Sequence, residues 1–317
     1  MSDAPSPLAP VTILRGDYQP PDWLVDTVRL EFDLSIDSTI VSATMAVRRN
    51  GAHDRPLRLD EDGALPDALA VDGKPTSWTR APGQIIVPVS GDAAVITLST
   101  TIDPSANSQL MGLFASNGML CTQCEAQGFR RIIPFVDRPD NMAVYTVRME
   151  GDATAFPILL ANGEETARGD LPGGRHFAEW HDPWPKPSYL FALVAGDLVA
   201  NQDHFTTMSG KQVALAIWVR DGDLPRTGHA MQALKNSMAW DEHVYGREYD
   251  LPVFNIVAVS DFNMGAMENK GLNIFNSRYI LADADTATDM DFDGVEGVVA
   301  HEYFHNWSGN RVTCRDW

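Results

Sequence analysis

Cysteine is scarce: Cys121, Cys124 and Cys314 are the only three in 317 residues. An odd, low count argues against a disulfide scaffold and fits a reducing cytosol, so a cytoplasmic location is expected. No apolar run reaches the roughly 18–20 residues that cross a bilayer. Residues 1–10 have neither the basic stretch nor the apolar stretch of a secretory leader. Basic residues are outnumbered 24 to 43, for a formal net charge of −19. That balance disfavours nucleic acid and anionic membranes as partners. The acids are spread along the chain, as on a solvated surface. Internal repeats and low-complexity tracts are also lacking. What remains is ordinary globular composition, 44% hydrophobic and 21% charged, long enough for two domains with cores of their own.

The first part of the chain alternates. Val28, Leu30, Phe32, Leu34 and Ile36 keep period 2, and Val41, Ala43, Met45 and Val47 repeat it after a turn. Such alternation marks half-buried antiparallel strands. Shorter apolar runs at 85–89, 95–98, 144–149 and 157–160 are separated by Gly, Pro, Asn and Asp clusters. This part reads as an antiparallel β-saddle or sandwich. Proline-rich 181–187 leads into 189–194 and Gly196-Asp197, and a domain boundary is placed there, giving units 1–197 and 198–317. Beyond it the pattern is mixed. Residues 226–245 read as a helix with Met231, Leu234, Met238 and the Val244-Tyr245 pair on one face. Residues 252–259 and 272–281 read as strands. Residues 291–305 read as a buried helix, with Asp291 or Asp293 near its start and Val295, Val298 and Val299 inside. The fold class is α+β.

His301-Glu302-Tyr303-Phe304-His305 is an H-E-x-x-H motif. Residues four apart share one helix face, so both imidazoles reach one metal ion. Glu302 is offset by about 100° and stands beside that ion as a general base. At this composition chance gives about 0.008 such motifs per chain. The bland alternative is a pair of histidines packed in a core. Catalytic zinc takes three protein ligands. The motif extension with Gly and a third His is excluded, because Ser308 and Arg311 occupy those places. A class that takes its third ligand, a glutamate, from a following helix would find it past Trp317. His53, His176, His181, His204, His229 and His243 form no ligand spacing and read as structural or surface residues.

Upstream lies Gly265-Ala266-Met267-Glu268-Asn269, and further upstream Gln123-Cys124-Glu125-Ala126. G-A-M-E-N ahead of H-E-x-x-H resembles the aminopeptidase N family of zinc metallopeptidases, the gluzincins. The runs 263–272 and 301–317 look most like its bacterial branch. The resemblance covers nearly the whole chain. It implies a thermolysin-like catalytic domain, truncated here, behind a β-saddle. It further implies hydrolysis of the N-terminal residue from peptides that have a free N-terminus, with one zinc ion.

Residue by residue, His301 and His305 match the zinc ligands and Glu302 the catalytic base. Glu268, with Asn269 closing its motif, matches the glutamate that binds the substrate's α-amine. Gln123 and Glu125 match residues reaching the same pocket. Gly265 and Ala266 match backbone that pairs with the peptide. Met264 resembles a mobile side chain lining the first specificity pocket, and Met267 completes the motif. The third ligand and an oxyanion-holding tyrosine would both lie past Trp317. The chain alone is therefore expected to bind zinc weakly and to be inactive. Two rival readings are an epoxide hydrolase-type relative on the same fold and a non-catalytic peptide-binding fragment. The G-A-M-E-N spelling favours the peptidase.

These roles make physical sense. A peptide α-amine has a pKa of about 7.7–8.0, so much of it is cationic at neutral pH, and carboxylates grip it by charge-assisted hydrogen bonds. Gln123 and Glu125, two apart, would share one face of a strand. Singly, each residue has an ordinary explanation: surface for Glu, a turn for Gly265, core filler for Met264 and Met267. Cys121-x-x-Cys124, with no second such pair, reads as free thiols rather than a redox or metal pair.

Overall fold

A computed structural model describes residues 14–317; the leaderless reading of residues 1–10 lies outside them. The front of the chain is built on an eight-stranded sheet. Its central strands are Ala143–Asp152, Trp23–Asp33, Thr39–Arg49 and Ala93–Ile102. The alternating residues do what their period dictates. Val28 faces Met45, Leu30 faces Ala43 and Phe32 faces Val41 across the pair, and all six are buried. One slip occurs: Val25 and Val28 both point inward because the register shifts between Val25 and Thr27, as a bulge requires. The sheet is not purely antiparallel, since Trp23–Asp33 pairs in parallel with Ala143–Asp152. Leu34 and Ile36 lie past the strand's end at Asp33.

The proline-rich stretch belongs to a sheet. Residues 181–186 complete the strand Arg175–Lys186, with exposed Pro183 and Pro185 among them. Pairing there continues to Lys186 across a register shift between Ala143 and Tyr145. A proline cannot donate to a ladder, and such an irregular strand end tolerates two of them.

Two smaller sheets then lead to the site. Ile158–Ala161, Leu193–Gly196, Met119–Gln123 and Gly112–Ser116 lie side by side in one. The other runs Val199–Thr206, Gln212–Val219, Val253–Val259, Leu272–Asn276 and Ala266–Met267, so the two-residue strand is its edge. The strand expected over 272–281 stops at Asn276, whose side chain accepts the Arg278 N–H and turns the chain into a 3-10 segment, Ser277–Tyr279.

This five-stranded sheet has a core on each face. Val257, Val259, Met267, Leu272 and Ile274 join the front core. Phe254, Ile256, Ala258 and Phe275 join a second core with two helices, α1 (Gly228–Tyr245) and α2 (Asp289–Phe304). α1 buries Met231, Leu234 and Met238, but Val244 and Tyr245 face solvent. α2 starts two residues earlier than its acids alone implied. Thr288 and Asp291 form a reciprocal capping box, Thr288 Oγ1 accepting from Asp291 N and Asp291 Oδ2 from Thr288 N. Its inner face is Val295, Val299 and Tyr303, while Val298 is half-buried. No helix among the described residues is long and apolar enough to cross a membrane.

Candidate active site

The last turn of α2 faces the end of the edge strand. His301 and His305 lie one turn apart, and their Nε2 atoms stand 3.0 Å from each other. Two nitrogens that close share a point about 2.0–2.1 Å from both, the distance at which zinc holds imidazole nitrogen. The tautomer of His305 follows from its other contact. Its Nδ1 lies 2.8 Å from the Ser308 carbonyl oxygen. A carbonyl only accepts, so Nδ1 carries the proton and Nε2 presents its lone pair, the arrangement a metal ligand needs. The donor set and its tautomer fit a divalent zinc.

Gly309 makes room for that ring. A Cβ at this position would come within 2.5 Å of His305 Nδ1, and the glycine has φ +147°, where a side chain is strained. Gly309→Ala is therefore expected to rotate the imidazole and weaken zinc binding about 10–100-fold. Isothermal titration with zinc reads this. An affinity equal to the parent chain's would show that the ring is held by something else.

The carboxylates close the site. Glu268, Glu302 and His305 offer ligand atoms that all lie within 4.8 Å of one another, and both glutamates are buried. Burial first, then the charges of Glu268 and Glu125, raise Glu302 to about 8. Glu125 is half-buried. Its carboxyl is pushed up by burial and by Glu268, and pulled down by His305. The three carboxylates thus share one electrostatic neighbourhood, in which the charge of Glu268 opposes ionisation of both Glu302 and Glu125.

Some expected placements differ. Gln123 ends the strand Met119–Gln123, but Glu125 sits beyond it in the following turn, so the two do not share a strand face. Gln123 is buried; its Nε2 lies 3.7 Å from Met267 Sδ, and its Oε1 has no partner among the described residues. The Met267 side chain is fully buried in the front core rather than lining a cleft. The Asn269 side chain is also enclosed, and its carbonyl accepts from Leu272 N and Asn273 Nδ2, so it shapes the turn. Met264 is exposed, on the loop leading into the edge strand. Gly265 accepts from Asn276 N through its carbonyl, and a Cβ there would make only ordinary contact with Tyr279. Ala266 and Met267 pair with Phe275 and Ile274 on one side, and among the described residues the other edge of the strand has no partner strand. Cys121 and Cys124 are buried and free, with thiols held protonated by burial, as the free-thiol reading expects.

Sequence reasoning missed Lys270, Asn306 and Asn310, which tie the two motifs together, and Gly309, which makes room for the His305 ring. Their signal was position alone: each stands within five residues of Glu268 or His305.

Residues 229–317 match the Peptidase family M1 domain, and residues 74–190 match the Peptidase M1 N-terminal domain. The chain is 53% identical over 311 residues to the aminopeptidase N of Caulobacter vibrioides, covering 97% of this chain and 36% of that protein. It is 50% identical over 304 residues to the aminopeptidase N of Escherichia coli, covering 96% and 35%. The crystal structure of Legionella pneumophila aminopeptidase A in complex with aspartic acid superposes with a TM-score of 0.91 at 33% identity, covering 95% of this chain and 36% of that one. The chain thus spans about a third of the length of the relatives it matches.

Proposed function

The chain belongs to the M1 family of peptidases, and from that premise we propose that it carries the metal-holding and amine-recognising part of a zinc aminopeptidase, a hydrolase acting on peptides with a free N-terminus. The observation that carries this reading is that His305 meets His301 through its Nε2 and lies in one cluster with Glu268 and Glu302. His301 and His305 would hold the zinc, the ion this family uses. When bound, zinc supplies a Lewis acid that polarises a carbonyl.

The chain's own groups would supply the amine grip, the peptide-pairing edge and the base. Glu268 and Glu125 receive the cationic α-amine, which stabilises both carboxylates as anions and sets the end of the peptide. The open edge of Ala266–Met267 accepts the extended backbone as one more strand. Together these fix the first peptide bond against Glu302, which takes a proton from the attacking water and returns it to the leaving amine. Free thiols and scarce cysteine support a cytoplasmic location.

The test uses small ligands, because binding reads the site independently of turnover. With zinc present, L-alaninamide should bind and N-acetyl-L-alaninamide should not. Glu268→Gln should weaken L-alaninamide about 10–100-fold, the worth of a charged hydrogen bond. Equal binding of the acetylated and free amides would sink the proposal.

A further inference from the structure

A buried strap joins the two halves of the site. Lys270 stands two residues after Glu268, and only 2% of it is exposed. Its ammonium pairs with Asp250 and donates to Asn306 Oδ1 at 2.6 Å. Asn306 is the residue after His305, so this contact runs from one motif to the other. Asp250 is held in turn by Arg311, whose guanidinium lies 3.9 Å from the centre of the Trp184 ring. A second arm runs parallel. Asn310, also buried, donates its side-chain amide to the Glu268 carbonyl at 2.9 Å and its backbone N–H to the His305 carbonyl at 2.9 Å. One residue thus bonds to the backbones of both the amine-binding glutamate and the second histidine. Behind them, Asn162 Nδ2 donates to the Lys270 carbonyl at 2.9 Å.

A buried ammonium is costly to desolvate, and an apolar side chain of like volume would fill the space as well for stability alone. Its directional bonds do what an apolar side chain cannot: they fix the distance between two loops. That distance matters for a ligand held at both ends. When an amine sits on Glu268 and the adjoining carbonyl reaches the metal, each contact raises the effective concentration of the other. The gain is lost if the spacing drifts.

We propose that Lys270, through Asn306 and alongside Asn310, is a positioning residue that sets the separation between the amine-binding carboxylate and the histidine pair. The proposal rests on the functional reading above.

Calorimetry tests it through one ratio, the affinity for L-alaninamide with saturating zinc over that without zinc. In Lys270→Met and Asn306→Ala the ratio should fall about tenfold, with zinc stoichiometry unchanged. Asn306→Ala leaves the Lys270–Asp250 pair intact, so it decides the matter if Lys270→Met does not fold. Asn306→Asp, which keeps an acceptor for Lys270, should restore the ratio. A strap that merely supports the fold would lower the melting temperature and leave the ratio of the folded protein unchanged, and that result overturns the proposal. If the parent chain itself shows no zinc dependence of L-alaninamide binding, the functional reading fails and the strap with it.

Discussion

With His305 replaced by alanine, zinc affinity is expected to drop on the order of 10²–10³-fold, the share of one ligand in a typical structural zinc site. The fold should barely notice. His305 is half-buried, and its polar contacts are the Ser308 carbonyl and the facing His301 ring. Losing the carbonyl contact costs about 1 kcal/mol at most positions of this kind. Competition against a chromogenic zinc chelator measures the affinity, and far-ultraviolet circular dichroism checks the fold. His204→Ala serves as the control, because that ring is exposed beside Asp203 and far in sequence from the motif. Equal loss in both variants would mean the zinc signal comes from scattered surface histidines. No loss in His305→Ala would remove the metal site altogether.

The second large effect concerns pH and the metal-free protein. Glu302 titrates at about 8 in the fold, against 4.5 when unfolded, because burial and then Glu268 and Glu125 oppose its charge. A folded pKa above the unfolded one means the folded state holds its proton more tightly. The resulting stability is complete below pH 4.5 and disappears as pH rises through about 8. Relative to Glu302→Gln, the metal-free chain should therefore lose roughly 2 to 4 kcal/mol between pH of about 5 and 9. Urea titrations of both proteins at the two ends of that range give the difference. Zinc should narrow it, since a cation beside the carboxylate favours the anion. A constant gap between the two proteins across the range would show that Glu302 is not held in this environment.

The reach of sequence reasoning differs by element. Strands with clean alternation, such as the one carrying Val41 to Val47, were legible because one buried face forces period 2. The histidine pair was legible because helical geometry turns a spacing of four into a single face. Other features depend on contacts distant in sequence. The bulge after Val25 and the parallel partnership with Ala143–Asp152 are tertiary choices. Pro183 and Pro185 gave no strand signal, because composition does not reveal that a strand end can carry them. Val244 and Tyr245 belong to the last turn of α1, where the period continues but the core does not. In the site, the resemblance named Glu268 and Glu302 without the means of their alignment. Lys270, Asn306 and Asn310 act through bonds that span the gap between motifs, and no local pattern encodes such a bond.

The five-stranded sheet, with a core on each face, ties the fates of the two halves together. Peeling the helices away would bare Phe254, Ile256 and Phe275, and removing the front would bare Val257, Leu272 and Ile274. Neither half has a clean surface to retreat to, so heat should melt the chain in a single step. Two separate absorption peaks in a calorimeter would show that the shared wall is weaker than its packing indicates.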